Sequence, residues 1–159
     1  MIDQYSVDTI LLSGIAGGLK TSTKIFDTVV CIASEFRDTD IDIYSDFPVL
    51  ESPVFQADSH LIDLAQQAAK AADWPVHFGL TTTGDIFTDR ISPNALCIDM
   101  ETAAVAHVCY MNRVPFLAIR TISDNTADNG QDVIERNFDR AAYRSYRFVM
   151  KILSFGMMK

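Results

Sequence analysis

The stretch "ALCIDMETAAVAHVCYMNRVPFLAIRTISD" (95–124) most constrains what this chain can fold into. It opens with a short apolar run (95–100), which reads as a strand. Twelve small and apolar residues (101–112) follow and read as a helix buried on much of its circumference. A second apolar run (115–124) reads as another buried strand. The same alternation fills the rest of the chain. "SVDTILLSG" (6–14), "DTVVCIAS" (27–34) and "VHFGLTTTG" (76–84) read as strands. "DSHLIDLAQQAAKAA" (58–72) reads as a helix capped by Asp58 or Ser59. "DVIERNFDRAAYRSYRFVMKIL" (132–153) reads as a long amphipathic closing helix. Strands alternating with helices predict an α/β fold around a largely parallel sheet, as a single domain over residues 1–159.

Charge and composition exclude several classes of function. Thirteen Lys and Arg against 21 Asp and Glu give a net charge of −8, which repels nucleic-acid backbones and anionic lipid heads. There is no long apolar run of membrane-spanning length, and the start "MIDQYSVD" lacks the pattern of a signal peptide. The expected partner is therefore a small molecule, with no nucleic acid and no membrane. Cys31, Cys97 and Cys109 each sit in apolar surroundings, which suits reduced thiols in a cytoplasmic protein. No C-x-x-C or paired histidines occur, so no metal or other cofactor is expected, and His60, His77 and His107 read as structural. Arg136, Arg140, Arg144 and Arg147 lie near one face of the closing helix, as a solvated face or as an anion site.

Ligands of open α/β sheets sit beyond the carboxyl ends of the strands. Four segments fall there: "SGIAGG", "TTTGDIFT", "DMET" and "ISDNTAD". Carboxylates and glycines dominate them, which suits a neutral or transiently cationic ligand better than a phosphate. The glycines Gly14, Gly17 and Gly18 are expected to turn the backbone sharply and bring it close to a ligand. Neither the P-loop lysine pattern nor the dinucleotide fingerprint accompanies them. The polar excursion 36–58, with aromatics and two prolines, reads as a long functional loop.

"SGIAGGL", "TTGDIF" and "IDMETAAVAHVCYMNRVPFLAIRTISDNTAD" (98–128), in this order, resemble the nucleoside phosphorylase superfamily. Within it they are most similar to the 5′-methylthioadenosine/S-adenosylhomocysteine nucleosidases. The resemblance implies a three-layer α/β/α fold of the phosphorylase/hydrolase type with a mixed, largely parallel sheet. It also implies hydrolysis of the N-glycosidic bond of a purine nucleoside with release of adenine, and a homodimer. Members begin with a further strand, helix and strand pair ahead of the region matched here, which supply a glutamate that activates the attacking water. The expectation is a domain truncated at its amino terminus, with an exposed sheet edge that promotes self-association.

The resemblance also assigns roles. Asp124 matches the general acid that protonates purine N7, and Ser123 would orient it. A free aspartate titrates near about 3.9, so an acid of this kind must hold its proton through burial or through the bound purine. Glu101, expected in the first turn of its helix, would accept from the ribose hydroxyls and stabilise a developing oxocarbenium ion. Met100 would pack on the sugar, Phe87 would stack on the base, and Thr88 would read the base edge through its backbone. Ala16 and Gly17 would line the ribose side, and Ile134 the 5′ substituent. Tyr44, Phe47 and Pro48 are candidates for a lid over a neighbouring subunit's site or for a cover on the chain's own core. The chain has Ile15 where the nucleosidases often carry a small hydroxyl residue.

Two other functions stay open at this point. A phosphate-dependent purine nucleoside phosphorylase would need cations at the ribose side, where Arg37 and Arg120 are available, although Arg120 falls within a strand. A catalytically impaired module that binds purine nucleosides without turnover would fit Ile15 and the shortened amino terminus.

Overall fold

A strand buried on both faces organises the molecule. The computed structural model describes residues 1–20, 22–38, 54–85, 92–125 and 131–156. In it the elements follow as α1 (Ile2–Tyr5), β1 (Ile10–Gly18), β2 (Thr28–Phe36), β3 (Val54–Gln56) and α2 (Ser59–Lys70). They continue as β4 (Val76–Thr83), β5 (Ala95–Asp99), α3 (Thr102–Asn112), β6 (Phe116–Asn125) and α4 (Gln131–Gly156). Within β6, Leu117 and Ile119 pack on one face and Phe116, Ala118 and Ile122 on the other. A strand covered on both sides has no polar face to show, hence its apolar first half (116–119), and the buried Arg120, Thr121 and Ser123 that follow each have a hydrogen-bond partner.

The sheet runs β3-β2-β4-β5-β1-β6, and β6 pairs back onto β2. It is mixed. The pairings of β1 with β6, β2 with β4 and β4 with β5 are parallel, the first two being the longest. The pairings of β5 with β1, β3 with β2 and β6 with β2 are antiparallel. Strand twist accumulates across the sheet and lets it curl until its ends meet. α2 and α4 cover one face through Leu61, Leu64, Ala68, Phe148 and Ile152. α3 covers the other through Ala106 and Cys109, so the expected three layers are present.

Local signals are realised closely. Asp58, rather than Ser59, caps α2, its Oδ1 accepting from Leu61 N at 3.0 Å. The chain's start differs from expectation. Residues 2–5 form one helical turn that ends at Ser6 in the left-handed region (φ 50°), and β1 begins only at Ile10. β1 also runs on through Gly18, so the three glycines lie inside a strand instead of beyond its end. β3 falls within the excursion 36–58, while Tyr44, Phe47 and Pro48 lie outside the described residues.

The three cysteines are buried and free. Hydrogen bonding to Cys97, then burial, pushes the Cys31 thiol well above its ordinary range, and burial raises Cys109. Both stay protonated and poorly nucleophilic. His77 pairs with Asp27 at 2.9 Å and His107 stacks on Phe55 at 4.9 Å, structural roles for both.

Candidate functional site

Sheet closure brings several carboxyl strand ends to one place. Gly17 and Gly18, at the end of β1, pair with Ile98 and Cys97, at the end of β5. Gly17 also faces Asp124 at the end of β6, and Thr83 at the end of β4 faces Asp99. Three of the four segments singled out in the sequence thus converge. The fourth, "TTTGDIFT", is described only through Asp85, so Phe87 and Thr88 lie outside the described residues.

Asp124 is set by a bulge. The β1–β6 register shifts between Ala16 and Gly17, where Ser123 is the extra residue on β6. Ser123, 1% exposed, donates from Oγ to Asp124 Oδ1 at 2.6 Å and to the Ala16 carbonyl at 3.3 Å. From α4, Asn137 Nδ2 donates to the Ser123 carbonyl at 2.7 Å. Asp124 Oδ2 has no donor among the described residues and faces Gly17, where an added Cβ would lie 3.3 Å from it. One carboxylate oxygen is therefore anchored and the other is not held by a described donor.

A second carboxylate cluster stands at the end of β5. Asp99, its side chain 1% exposed, accepts at Oδ1 from Thr83 Oγ1 (2.7 Å), Glu101 N (3.1 Å) and Thr102 N (3.0 Å). At Oδ2 it accepts from Thr102 Oγ1 and pairs with Arg120 Nε at 2.9 Å. Arg120, 3% exposed, donates from Nη2 to Glu101 Oε2 (3.1 Å) and from Nη1 to the Ile15 carbonyl (3.3 Å). A buried ion pair with its remaining hydrogen-bonding positions filled is a rigid anchor. Glu101 is not in the first helical turn, as expected, but at the capping position, with its side chain 58% exposed and making no cap bond. Asp99 caps α3 instead, which frees Glu101 to point outward from its contact with Arg120.

This arrangement corrects the reason for the glycines. No described glycine has a left-handed φ, so none is needed for a turn. They are needed for room. A Cβ at Gly14 would lie 2.1 Å from Arg120 Nη1, so the guanidinium lies where a side chain would be. Gly17 leaves space in the same way beside Asp124.

Ala16, Gly17, Ser123 and Asp124 are thus brought together, and Glu101 joins them through Arg120 and the neighbouring carbonyls of Ile15 and Ala16. Met100 stands beside Glu101, 48% exposed at the mouth. Ile134 lies seven residues before the buried Ala141 on α4 and one turn before Asn137. It is half-buried, and no described contact joins it to the carboxylate clusters. Asp99, Thr102 and Asn137 were not anticipated. An aspartate ending a strand just before a helix is a capping signal that could have found Asp99. An arginine inside an apolar strand announces a buried partner.

Comparison with known proteins agrees with this geometry. The family model described as "Phosphorylase superfamily" matches residues 1–154. A curated relative, the 5′-methylthioadenosine/S-adenosylhomocysteine nucleosidase of Bacillus cytotoxicus, is 31% identical over 96% of this chain and 72% of its own. Among solved structures, a putative nucleosidase of this kind from Borrelia burgdorferi, bound to adenine, superposes with a TM-score of 0.88. It is 27% identical over 96% of this chain and 72% of its own. The Neisseria meningitidis nucleosidase in complex with methylthio-immucillin-A gives a TM-score of 0.85, at 27% identity over 96% of this chain and 71% of its own. With that match running through both carboxylate clusters and the bulge between them, the chain belongs to the phosphorylase superfamily.

Proposed function

We propose that this chain is a purine nucleosidase that hydrolyses the N-glycosidic bond of 5′-methylthioadenosine and S-adenosylhomocysteine and releases adenine. Relatives named for that activity, and an adenine complex among the similar structures, support the reading. In it the bond from the ribose to purine N9 breaks, and its electron pair passes to the purine. Asp124 delivers a proton to N7 from the oxygen that Ser123 does not hold. Glu101, steadied by Arg120, accepts from the ribose hydroxyls and stabilises the cationic sugar. Ala16 and Gly17 lie under the ribose, Met100 packs against it, and Ile134 contacts the 5′ thioether. Phe87 and Thr88 take the base. Water attack needs a base in addition to these groups.

Hydrolysis is preferred to phosphorolysis on one observation. Of the two arginines available for phosphate, Arg120 is already committed to Asp99 and Glu101, and Arg37 to Asp38. Phosphate would have to displace a carboxylate from either. Adenine release from methylthioadenosine is expected to proceed at the same rate with and without phosphate. A strict phosphate requirement would move the chain to the phosphorylases. Nucleoside binding by calorimetry with no adenine released at long times would make it a binding module.

The reading includes a single phosphorylase-like domain that works as a homodimer. Tyr143, Tyr146, Met150 and Leu153, at intervals of three and four residues on α4, are all at least 41% exposed and form an apolar row. Sedimentation velocity is expected to give a dimer, and a monodisperse monomer would refute it. Among the described residues no helix is long and apolar enough to cross a membrane, and three free buried thiols suit the reducing cytoplasm.

A further inference from the structure

α4 carries a second chemical feature that the nucleosidase reading does not use. Of its four regularly spaced arginines, Arg136 turns back to the Asp132 carbonyl (3.1 Å). The other three lie along the flank of α4 against two aromatic rings. The Arg140 guanidinium carbon stands 4.1 Å from the centre of Phe26. That of Arg144 stands 5.8 Å from Phe26 and 5.1 Å from Trp74, and that of Arg147 stands 5.1 Å from Trp74. Cations and rings therefore alternate along the helix flank.

The rings are held firmly. Arg144 Nη1 donates to the Phe26 carbonyl at 2.7 Å, and Phe26 N donates to the Ile122 carbonyl at 2.8 Å. Between these two bonds Phe26 is kept at φ 73°, a conformation rare for a bulky side chain. Trp74 Nε1 donates to Thr28 Oγ1 at 2.9 Å.

The charges are not balanced. Among the described residues no carboxylate lies within 4.0 Å of these three guanidiniums. Asp73 and Asp27 act on Arg144 from further off, and Asp27 Oδ2 is taken by His77 and by the Lys24 amide. Burial, then the charge of Arg140, holds the Arg144 guanidinium below its ordinary range. With 21 acidic residues against 13 basic ones, carboxylates are plentiful in this chain, yet none of the described ones closes on this row.

We propose that Arg140, Arg144 and Arg147, seated on Phe26 and Trp74, form a binding site for a small anion carrying more than one phosphate group. Planar guanidiniums take phosphate oxygens in pairs. Three of them, spread over roughly 10 Å of helix, exceed what a single carboxylate would engage. The site is distinct from the nucleoside site. Asn137 touches Ser123; Arg140 stands about one turn past it and Arg147 about 15 Å past it, so the row leads away from the nucleoside site.

Trp74 is the sole tryptophan, so its fluorescence reports on this site. Pyrophosphate titrated into the full chain at low ionic strength is expected to give a saturable change in emission. Sodium chloride at equal ionic strength gives none. The double variant Arg140→Gln/Arg147→Gln is expected to bind about tenfold more weakly or worse. It leaves Arg144, which holds the Phe26 carbonyl, in place. Adenine added first leaves the response unchanged. The proposal falls if no saturable change occurs, if chloride reproduces it, if adenine abolishes it, or if the double variant binds as tightly as the wild type.

Discussion

Asp124→Asn is expected to slow adenine release from methylthioadenosine by about 10²- to 10⁴-fold while nucleoside binding survives. The substitution is isosteric, and the site is built to show its consequence. Oδ1 of Asp124 accepts from Ser123 Oγ at 2.6 Å, so an asparagine that keeps this bond keeps its carbonyl oxygen there. Its amide nitrogen then takes the place of Oδ2, beside Gly17. An amide can donate a hydrogen bond to purine N7 but cannot give up the proton. The ground state is bound as before, and the purine must leave as an anion. Initial rates of adenine release, with calorimetric binding on the same samples, separate the two effects. A variant within threefold of the wild-type rate would remove Asp124 from the role of general acid. Ser123→Ala keeps the carboxylate but loses its anchor, and a fall on the order of tenfold is expected.

What was legible in the sequence depended on how local each cause was. Alternating apolar runs and helical spacing placed the central strands and helices, because burial dictates those periods residue by residue. The Asp58 cap is equally local, since its partner is the amide of Leu61. Ser123 and Asp124 are neighbours in the chain, so their pairing could be anticipated. Closure of the sheet could not, because no periodicity encodes β6 returning to β2. The glycines show the same limit. Read locally, Gly14 means conformational freedom. In the structure it means absence of a side chain, and the group that needs the space is Arg120, far along the sequence. Asp99 was not singled out, although a strand-ending aspartate before a helix reads as a cap. It is one, and it is also the counter-ion of a buried arginine.

That pair carries the largest expected effect on stability. Arg120→Met removes the cation but leaves Asp99 at 1% side-chain exposure with a charge to hold. Removing one partner of a buried pair costs about 3–5 kcal/mol. For a chain of this size that lowers the melting temperature by on the order of 10 °C. The double variant Asp99→Asn/Arg120→Met should recover part of the loss. Asparagine keeps an oxygen to accept from the Glu101 and Thr102 amides and no longer buries an unpaired charge. Gly14→Ala should approach the Arg120→Met result from the other strand, because its methyl group would lie 2.1 Å from Nη1 and force the guanidinium out. Thermal melts of the three variants decide the matter. If Arg120→Met melts within a degree or two of wild type, the pair is not the anchor of this end of the sheet. If it melts early and the double variant earlier still, the cost lies in lost packing rather than in a stranded carboxylate. Recovery in the double variant, with nucleoside affinity still reduced, would show that Arg120 serves the fold through Asp99 and the ligand through Glu101.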